Sequence, residues 1–302
     1  MNFAFFEGRI VPFADAKISV MTHAFNYGTG VFEGIRGYWS NNKINVLMLG
    51  EHYKRLFNSA KIIKIKINYT IDQLIDITIE LVKRNGYRED VYIRPIAYKS
   101  HERIGLGLTG IDDDLTIYMA PFGEYLDISK GINICTSTWR KIDDNIIPAR
   151  AKVTGMYVNS SLAKSEALEN GFDEAIMLST DGHVAEGSGE NIFIVRDGRL
   201  ITPPITENTL EGLTRALIIE LAKDELGIDT KERTVDRTEL FIADELFFTG
   251  TGAQISPIRS IDKRVVGLGT IGPITSKLQK IYFDIVKGNN PKYKHLITPV
   301  EI

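Results

Sequence analysis

Short apolar runs broken by Gly and Asn open the chain, first FAFFEGRIVPF and then GIRGYWSNNKINV. Alternation of this kind, punctuated by residues that tolerate positive φ, predicts hairpins, with Asn41-Asn42 as one of the turns. From Leu49 the period changes: Leu49, Tyr53, Leu56, Ala60 and Ile63 recur at helical spacing. A second helix is predicted from Thr70, where Thr70 and Gln73 form a capping box ahead of Leu74, Ile75 and Leu81. VYIRPIAYKS and LTIYMAPF read as strands. Between them lie a Gly-rich loop over residues 105–110 and the acidic run Asp112, Asp113 and Asp114, expected to be a solvated turn.

At residues 121–131 the pattern breaks into a Pro- and Gly-punctuated stretch, PFGEYLDISKG, which reads as a linker. It separates a small N-terminal α/β domain over residues 1–120 from a large C-terminal domain over 132–302. In the second half INICTSTWR is a strand, Gly155 to Asn170 a helix closed by Gly171, and FDEAIMLS a strand. HVAEGSGENIFIVRDGRLITPP is a hairpin turning at Asp197-Gly198, followed by a helix from Gly212 to Leu226. The expected class is α/β (α+β), two mixed domains, with no internal repeat.

Composition narrows the ligands. The 302 residues, 43% hydrophobic and 25% charged, suffice for two cores. The net charge of -3 arises from 36 basic and 39 acidic residues scattered along the chain. That leaves no basic stripe for nucleic acid and no polybasic membrane anchor, so small ligands are expected. Cys135 is the single cysteine, without the Cys or His company of a zinc site, and it suits a reducing cytoplasm. The start, MNFAFFEGRIVPF, has neither the basic nor the long apolar region of an export signal, and no window has the length of a span.

Several motifs carry no chemistry on inspection. Gly267, Gly269 and Gly272 spell G-x-G-x-x-G, but too near the C-terminus for the strand, helix and acidic partner of a dinucleotide site. His23, His52, His101, His183 and His295 show no paired metal spacing, so no metal is expected. Ser188 has glycines directly beside it, whereas a nucleophile elbow places them two positions away. What remains is a set of Gly-, Thr- and Tyr-rich stretches: HAFNYGTGVFEGIRGY, YIRP, ARAKVTGMY, EGSGENIF, EGLTR and FFTGTGAQISP. Together they contain what a phosphorylated aldehyde cofactor requires: a lysine, an acid for a ring nitrogen, a hydroxyl for a ring oxygen, and helix-start amides for the phosphate.

These motifs, in register from about His23 to Ile285, resemble the branched-chain aminotransferases among the class IV, fold type IV, pyridoxal-phosphate enzymes. The resemblance implies two α/β domains with pyridoxal 5′-phosphate at their interface. It also implies a homodimer as the minimal active unit, with a higher homo-oligomer left open, in which one subunit's small domain closes its partner's site. A-K-x-x-G-x-Y then makes Lys152 the cofactor-carrying lysine and catalytic base, and Tyr157 the partner of the phenolic oxygen. Glu186 matches the acid at the pyridine nitrogen, and Arg55 the phosphate arginine, aided by Leu213, Thr214 and Thr251. Tyr27, Phe32, Arg36, Tyr92, Arg94 and Phe122 match substrate-pocket positions, with Thr251 and Gly252 beside the α-carboxylate. Lys164, within a helix beside Glu166 and Glu169, reads instead as a solvated surface charge.

The implied activity is reversible amino transfer from leucine, isoleucine or valine to 2-oxoglutarate, with amino acids and 2-oxo acids as the only partners besides the second subunit. Gly252 stands where alanine is common, Gln254 where glutamate is common, and Phe122 where a larger aromatic often sits. These departures touch the pocket wall, and so bear on substrate preference. Rival readings are a D-amino acid or amine transaminase, an aminodeoxychorismate lyase of the same fold, and a non-catalytic ligand-binding module.

Overall fold

In a computed structural model that describes residues 2–302, Asn41 and Asn42 take φ of 53° and 60°. This is the left-handed pair whose twist suits a two-residue hairpin. By compactness the chain divides into two units. The first comprises residues up to Gly123, Ala151–Met156 and Asp284–Ile302, and the second Glu124–Arg150 and Tyr157–Phe283. Neither is continuous in sequence, and the sequence reading placed both 151–156 and 284–302 in the C-terminal domain.

The first unit contains β1 (Phe3–Phe6), β2 (Arg9–Pro12), α1 (His23–Tyr27), β3 (Gly30–Phe32), β4 (Ile35–Ser40) and β5 (Lys43–Leu47). It continues through α2 (Leu49–Ile62), α3 (Ile71–Asn85), β6 (Val91–Lys99) and β7 (Asp113–Pro121). One sheet runs in the order strand Ile297–Glu301, β5, β4, β6, β7, β1, β2, with β3 also paired to β6. Leu49, Tyr53, Leu56 and Ala60 are buried, and the Thr70–Gln73 capping box starts α3. Strand period sorts the side chains of β6: Val91 and Ile93 are buried in the core, while Tyr92 and Arg94 share the opposite face.

The acidic run departs from expectation. β7 begins at Asp113, in register with Lys99, and Asp114 faces Tyr98. Lys99 Nζ lies 2.8 Å from the Asp113 carboxylate, with both side chains largely buried. Only Asp112 keeps the solvated character assigned to all three. Strand pairing recruited the other two because each found a partner across the ladder.

The second unit holds β8 (Ile132–Thr136), α4 (Tyr157–Glu169), β9 (Glu174–Leu178), β10 (Val184–Gly187), β11 (Asn191–Arg196) and β12 (Arg199–Thr202). It then adds α5 (Leu213–Leu226), β13 (Thr230–Glu232), β14 (Glu245–Gly250), β15 (Gln254–Ile261), β16 (Arg264–Val265) and most of α6 (Pro273–Val286). Its sheet runs β10-β9-β8-β15-β14-β11-β12-β13, with β16 paired to β15. Ile134, Ile176, Ile192, Phe248 and Ile258 form its core. Ala163 and Ala167 of α4 pack on Ala175 and Met177, small residues that let the helix lie close to the sheet. Gly267 and Gly269 shape the turn from β16 into α6, at φ 51° and 73°. Among the described residues no helix is long and apolar enough to cross a membrane.

Candidate active site

Lys152 belongs to the first unit because its segment is stitched to β3. Phe32 donates its N–H to the Lys152 carbonyl at 3.0 Å, Val31 bridges to Val153, and Lys152 N–H donates to Ser59 Oγ at 3.1 Å. Thr154 Oγ1 donates to the Gly28 carbonyl at 2.8 Å. That close approach explains Gly28: it sits at φ 66°, and a Cβ there would lie 2.7 Å from Gly155 Cα. The backbone thus delivers one lysine to a set place.

The Lys152 ammonium stands 5.0 Å from the Phe32 ring centroid, and the Arg94 guanidinium lies over the same ring at 4.3 Å. Arg94 Nη2 donates to Tyr92 Oη at 2.9 Å, while Arg94 Nε is buried with no hydrogen-bond partner. Tyr92 packs on Phe122 with centroids 5.0 Å apart. A Cβ at Gly34 would overlap the Tyr92 hydroxyl, so glycine there makes room for the ring. Burial, reinforced by Arg55 and opposed by Glu33, brings the Lys152 pKa down to about 8.

The remaining first-unit residues are placed by their own elements. Arg36 faces Tyr92 across the β4–β6 ladder and donates to the carbonyls of Phe122 and Gly123 at 3.3 and 2.9 Å. Its guanidinium lies 5.2 Å from the Phe122 ring centroid, so it helps hold that wall in place. Tyr27 ends α1, partly exposed, and its hydroxyl accepts from Gly105 N–H at 3.3 Å. Arg55 is engaged by a residue the sequence reading passed over: Glu33, wholly buried, which also meets His52. A carboxylate inside the buried run GVFEGIR is the signal that marked it, since such a charge requires a partner.

Glu186 centres the second unit's set. It lies on β10, almost fully buried, with Lys141 Nζ 2.5 Å from Oε1. Oε2 accepts from Asn191 Nδ2 at 2.9 Å and from Leu210 N–H at 3.1 Å. Asn191 fits only because residue 212 is glycine, where a Cβ would overlap Asn191 Oδ1. Gly212 caps α5 without a side-chain acceptor, leaving Leu213 and Thr214 in the first turn, where helix amides favour an anion. Thr251 and Gly252 sit in the turn between β14 and β15, and Tyr157 opens α4. Lys141 was not anticipated; nothing in its local spacing points to Glu186, 45 positions on by sequence number. Glu190, buried nearby in sequence, accepts from Gly189 N–H at 3.1 Å. Burial, with the Glu174 carboxylate, pushes its pKa up.

Lys164 is not the solvated charge expected. Its Nζ lies 2.8 Å from Glu174 Oε2, and the two side chains are 21% and 0% exposed. Glu166, placed beside it by helical spacing, instead accepts from Ser137 and Thr138. A buried carboxylate on β9 outcompetes exposed ones on the same helix, because its charge has no water to turn to. Asp181, His183 and Glu207 bring ligand atoms within 4.8 Å of one another, a grouping that sequence spacing did not show.

The donor set fits a phosphorylated pyridine aldehyde. Lys152 has its proton affinity lowered, as an amine that must attack an aldehyde requires. Within the second unit Glu186 offers a buried carboxylate and the first turn of α5 offers amide donors for an anion; within the first, Arg55 is a buried guanidinium.

The Amino-transferase class IV family model matches residues 30–261. A probable branched-chain-amino-acid aminotransferase of Aquifex aeolicus is 51% identical over 302 residues, covering 99% of this chain and 97% of that protein. The crystal structure of the branched-chain aminotransferase from Thermoproteus uzoniensis with norvaline is 45% identical, with a TM-score of 0.95 and 99% of both chains covered. The crystal structure of the branched-chain amino acid aminotransferase from Thermobaculum terrenum in its PLP-form, the holo-form, is 40% identical, with a TM-score of 0.95; the match covers 100% of this chain and 99% of that one.

Proposed function

Because the chain belongs to the class IV aminotransferase family, we propose that it transfers the amino group of branched-chain L-amino acids to 2-oxoglutarate, with pyridoxal 5′-phosphate as cofactor. The observation that carries the reading is Lys152, whose amine is brought to a pKa of about 8 beside Phe32 and Arg94.

When bound, pyridoxal phosphate supplies a ring that takes up the electron pair left as the substrate's Cα–H bond breaks. With the cofactor held, Lys152 would do the proton work: its amine would take the proton from the substrate's Cα and hold it for return. A pKa of about 8 rather than 10.5 leaves a share of the amine unprotonated near neutral pH, as a group that takes up a proton requires. Glu186 would stand at the ring nitrogen, where its carboxylate would favour the protonated pyridine. Tyr157 orients the phenolic oxygen. Arg55, the first-turn amides of Leu213 and Thr214, and the Thr251 hydroxyl hold the phosphate.

Substrate recognition divides between apolar walls and charge. Tyr27, Phe32 and Phe122 bound the branched side chain. Tyr92, Thr251 and the Gly252 amide take the α-carboxylate. Arg94, whose Nε lacks a partner, takes the distal carboxylate of glutamate or 2-oxoglutarate. One site that accepts both substrates in turn implies a ping-pong cycle.

A homodimer is part of the proposal. In the first unit Val20, Phe25, Ile104 and Leu106 are 77%, 67%, 89% and 76% exposed. His23 Nε2 at 2.8 Å from the Gly105 carbonyl ties the loop bearing the last two to α1. An apolar surface of that kind supports burial against a second copy. A cytoplasmic location is also proposed, supported by the lone, buried Cys135.

The deciding experiment is an absorbance spectrum of the purified protein, followed by L-leucine, then 2-oxoglutarate. L-leucine should bleach the cofactor band and 2-oxoglutarate restore it. A response to D-leucine alone, pyruvate release from aminodeoxychorismate, or no response overturns the reading. Gel filtration at the monomer mass would remove the dimer.

A further inference from the structure

Glu33 lies between β3 and β4, wholly buried, a position where an unneeded carboxylate is costly. Its N–H is taken by the Pro95 carbonyl at 3.0 Å. Its Oε1 accepts from Arg55 Nε at 2.6 Å and its Oε2 from Arg55 Nη2 at 2.7 Å, a side-on bidentate pair. His52 Nδ1 meets the same Oε2 at 2.7 Å. His52 and Arg55 stand three residues apart on α2, so one helix face presents both to one carboxylate. Burial favours the neutral imidazole at His52, and such a ring bonds Glu33 by donating its Nδ1–H.

Two consequences are possible for an arginine held this way. If Glu33 only neutralises Arg55, the pair weakens any hold on an anion, and removing the carboxylate strengthens it. If Glu33 fixes the guanidinium, removing it releases a flexible side chain and the hold is lost. The bidentate geometry, with a second donor locking the same carboxylate, favours the latter, since a counter-charge alone requires neither the side-on approach nor His52.

We propose that Glu33 and His52 are positioning residues that set the plane and direction of the Arg55 guanidinium for the phosphate of the cofactor. The inference rests on the reading of Arg55 as the phosphate arginine. It makes the FEGIR and HYKR motifs one device, joined across β3 and α2.

Apoprotein is titrated with pyridoxal 5′-phosphate and, separately, with pyridoxal, which lacks the phosphate. Dissociation constants and apoprotein thermal midpoints are read for wild type, Arg55→Met, Glu33→Gln, His52→Ala and His52→Asn. Glu33→Gln should weaken pyridoxal phosphate by roughly ten- to a hundredfold, the worth of a charged hydrogen bond, and leave pyridoxal unchanged. His52→Ala should lose less, and His52→Asn, which keeps a donor near Nδ1, should recover most of that loss. Equal losses for both ligands, or pyridoxal phosphate bound as tightly or more tightly by Glu33→Gln, overturn the inference. Should Glu33→Gln fail to fold, the His52 pair decides: Ala and Asn behaving alike overturns it. If Arg55→Met weakens pyridoxal phosphate while Glu33→Gln does not, only the positioning role falls. If Arg55→Met has no effect, the phosphate assignment itself is wrong.

Discussion

Lys141 Nζ lies 2.5 Å from Glu186 Oε1, with the two side chains 4% and 6% exposed. A buried ion pair of this kind contributes little net stability beside an apolar replacement, but each half depends on the other. Lys141→Met should therefore destabilise the protein by about 3–5 kcal/mol, because it strands Glu186. Adding Glu186→Gln to it should restore much of the thermal midpoint. A double variant no more stable than Lys141→Met, in apoprotein melting curves, would show that the pair is not coupled.

Glu186→Gln alone probes the chemistry, although by the same argument it leaves the Lys141 charge without its counter-charge and lowers the apoprotein thermal midpoint. The amide keeps the size and one hydrogen bond but no longer favours a protonated ring nitrogen. The half-reaction with L-leucine, followed by stopped-flow absorbance, should slow by orders of magnitude while the circular dichroism spectrum is retained. An unchanged single-turnover rate removes Glu186 from this role.

Lys152 gives a pH signature. Its pKa falls from 10.5 to about 8 in the folded chain, chiefly through burial, then Arg55. Between about pH 8 and 10.5 the unfolded chain holds a proton that the folded one has shed, so apoprotein stability rises with pH across that window and falls on the way down to 8. Lys152→Met should flatten this rise in urea midpoints. Loading of cofactor onto apoprotein should show a midpoint near pH 8, and borohydride followed by peptide mapping should place the label on Lys152. A label on Lys164 would sink the assignment, as would Lys152→Ala retaining most of its turnover.

Arg94 tests the division of substrate recognition. It lies over Phe32 at 4.3 Å and donates to Tyr92 Oη at 2.9 Å, with Nε unpartnered. If it meets the distal carboxylate, Arg94→Met should weaken the 2-oxoglutarate half-reaction by about 1.5–3 kcal/mol, roughly tenfold to over a hundredfold, and spare the leucine half-reaction. Equal losses in both, measured side by side in single turnovers, would mean that Arg94 only braces Tyr92 and Phe32.

The sequence by itself determined what depends on neighbours along the chain. Asn41-Asn42 announced a hairpin because these residues tolerate left-handed φ, and Thr70 with Gln73 announced a helix start because their side chains reach the first-turn amides. The motif around Lys152 marked it, through a resemblance, as the candidate lysine, while local residue types gave the wrong surroundings for Lys164. Only the tertiary structure decided the charges. Glu33 meets Arg55 and His52, Lys141 meets Glu186, and Lys164 meets Glu174 across separate elements. It likewise drew Asp113 into a strand opposite Lys99 and grouped Ala151–Met156, with Lys152, in the first unit. The physical reason is one of range: turn and helix propensities act over a few residues, whereas the cost of burying a charge depends on whatever lies beside it in space.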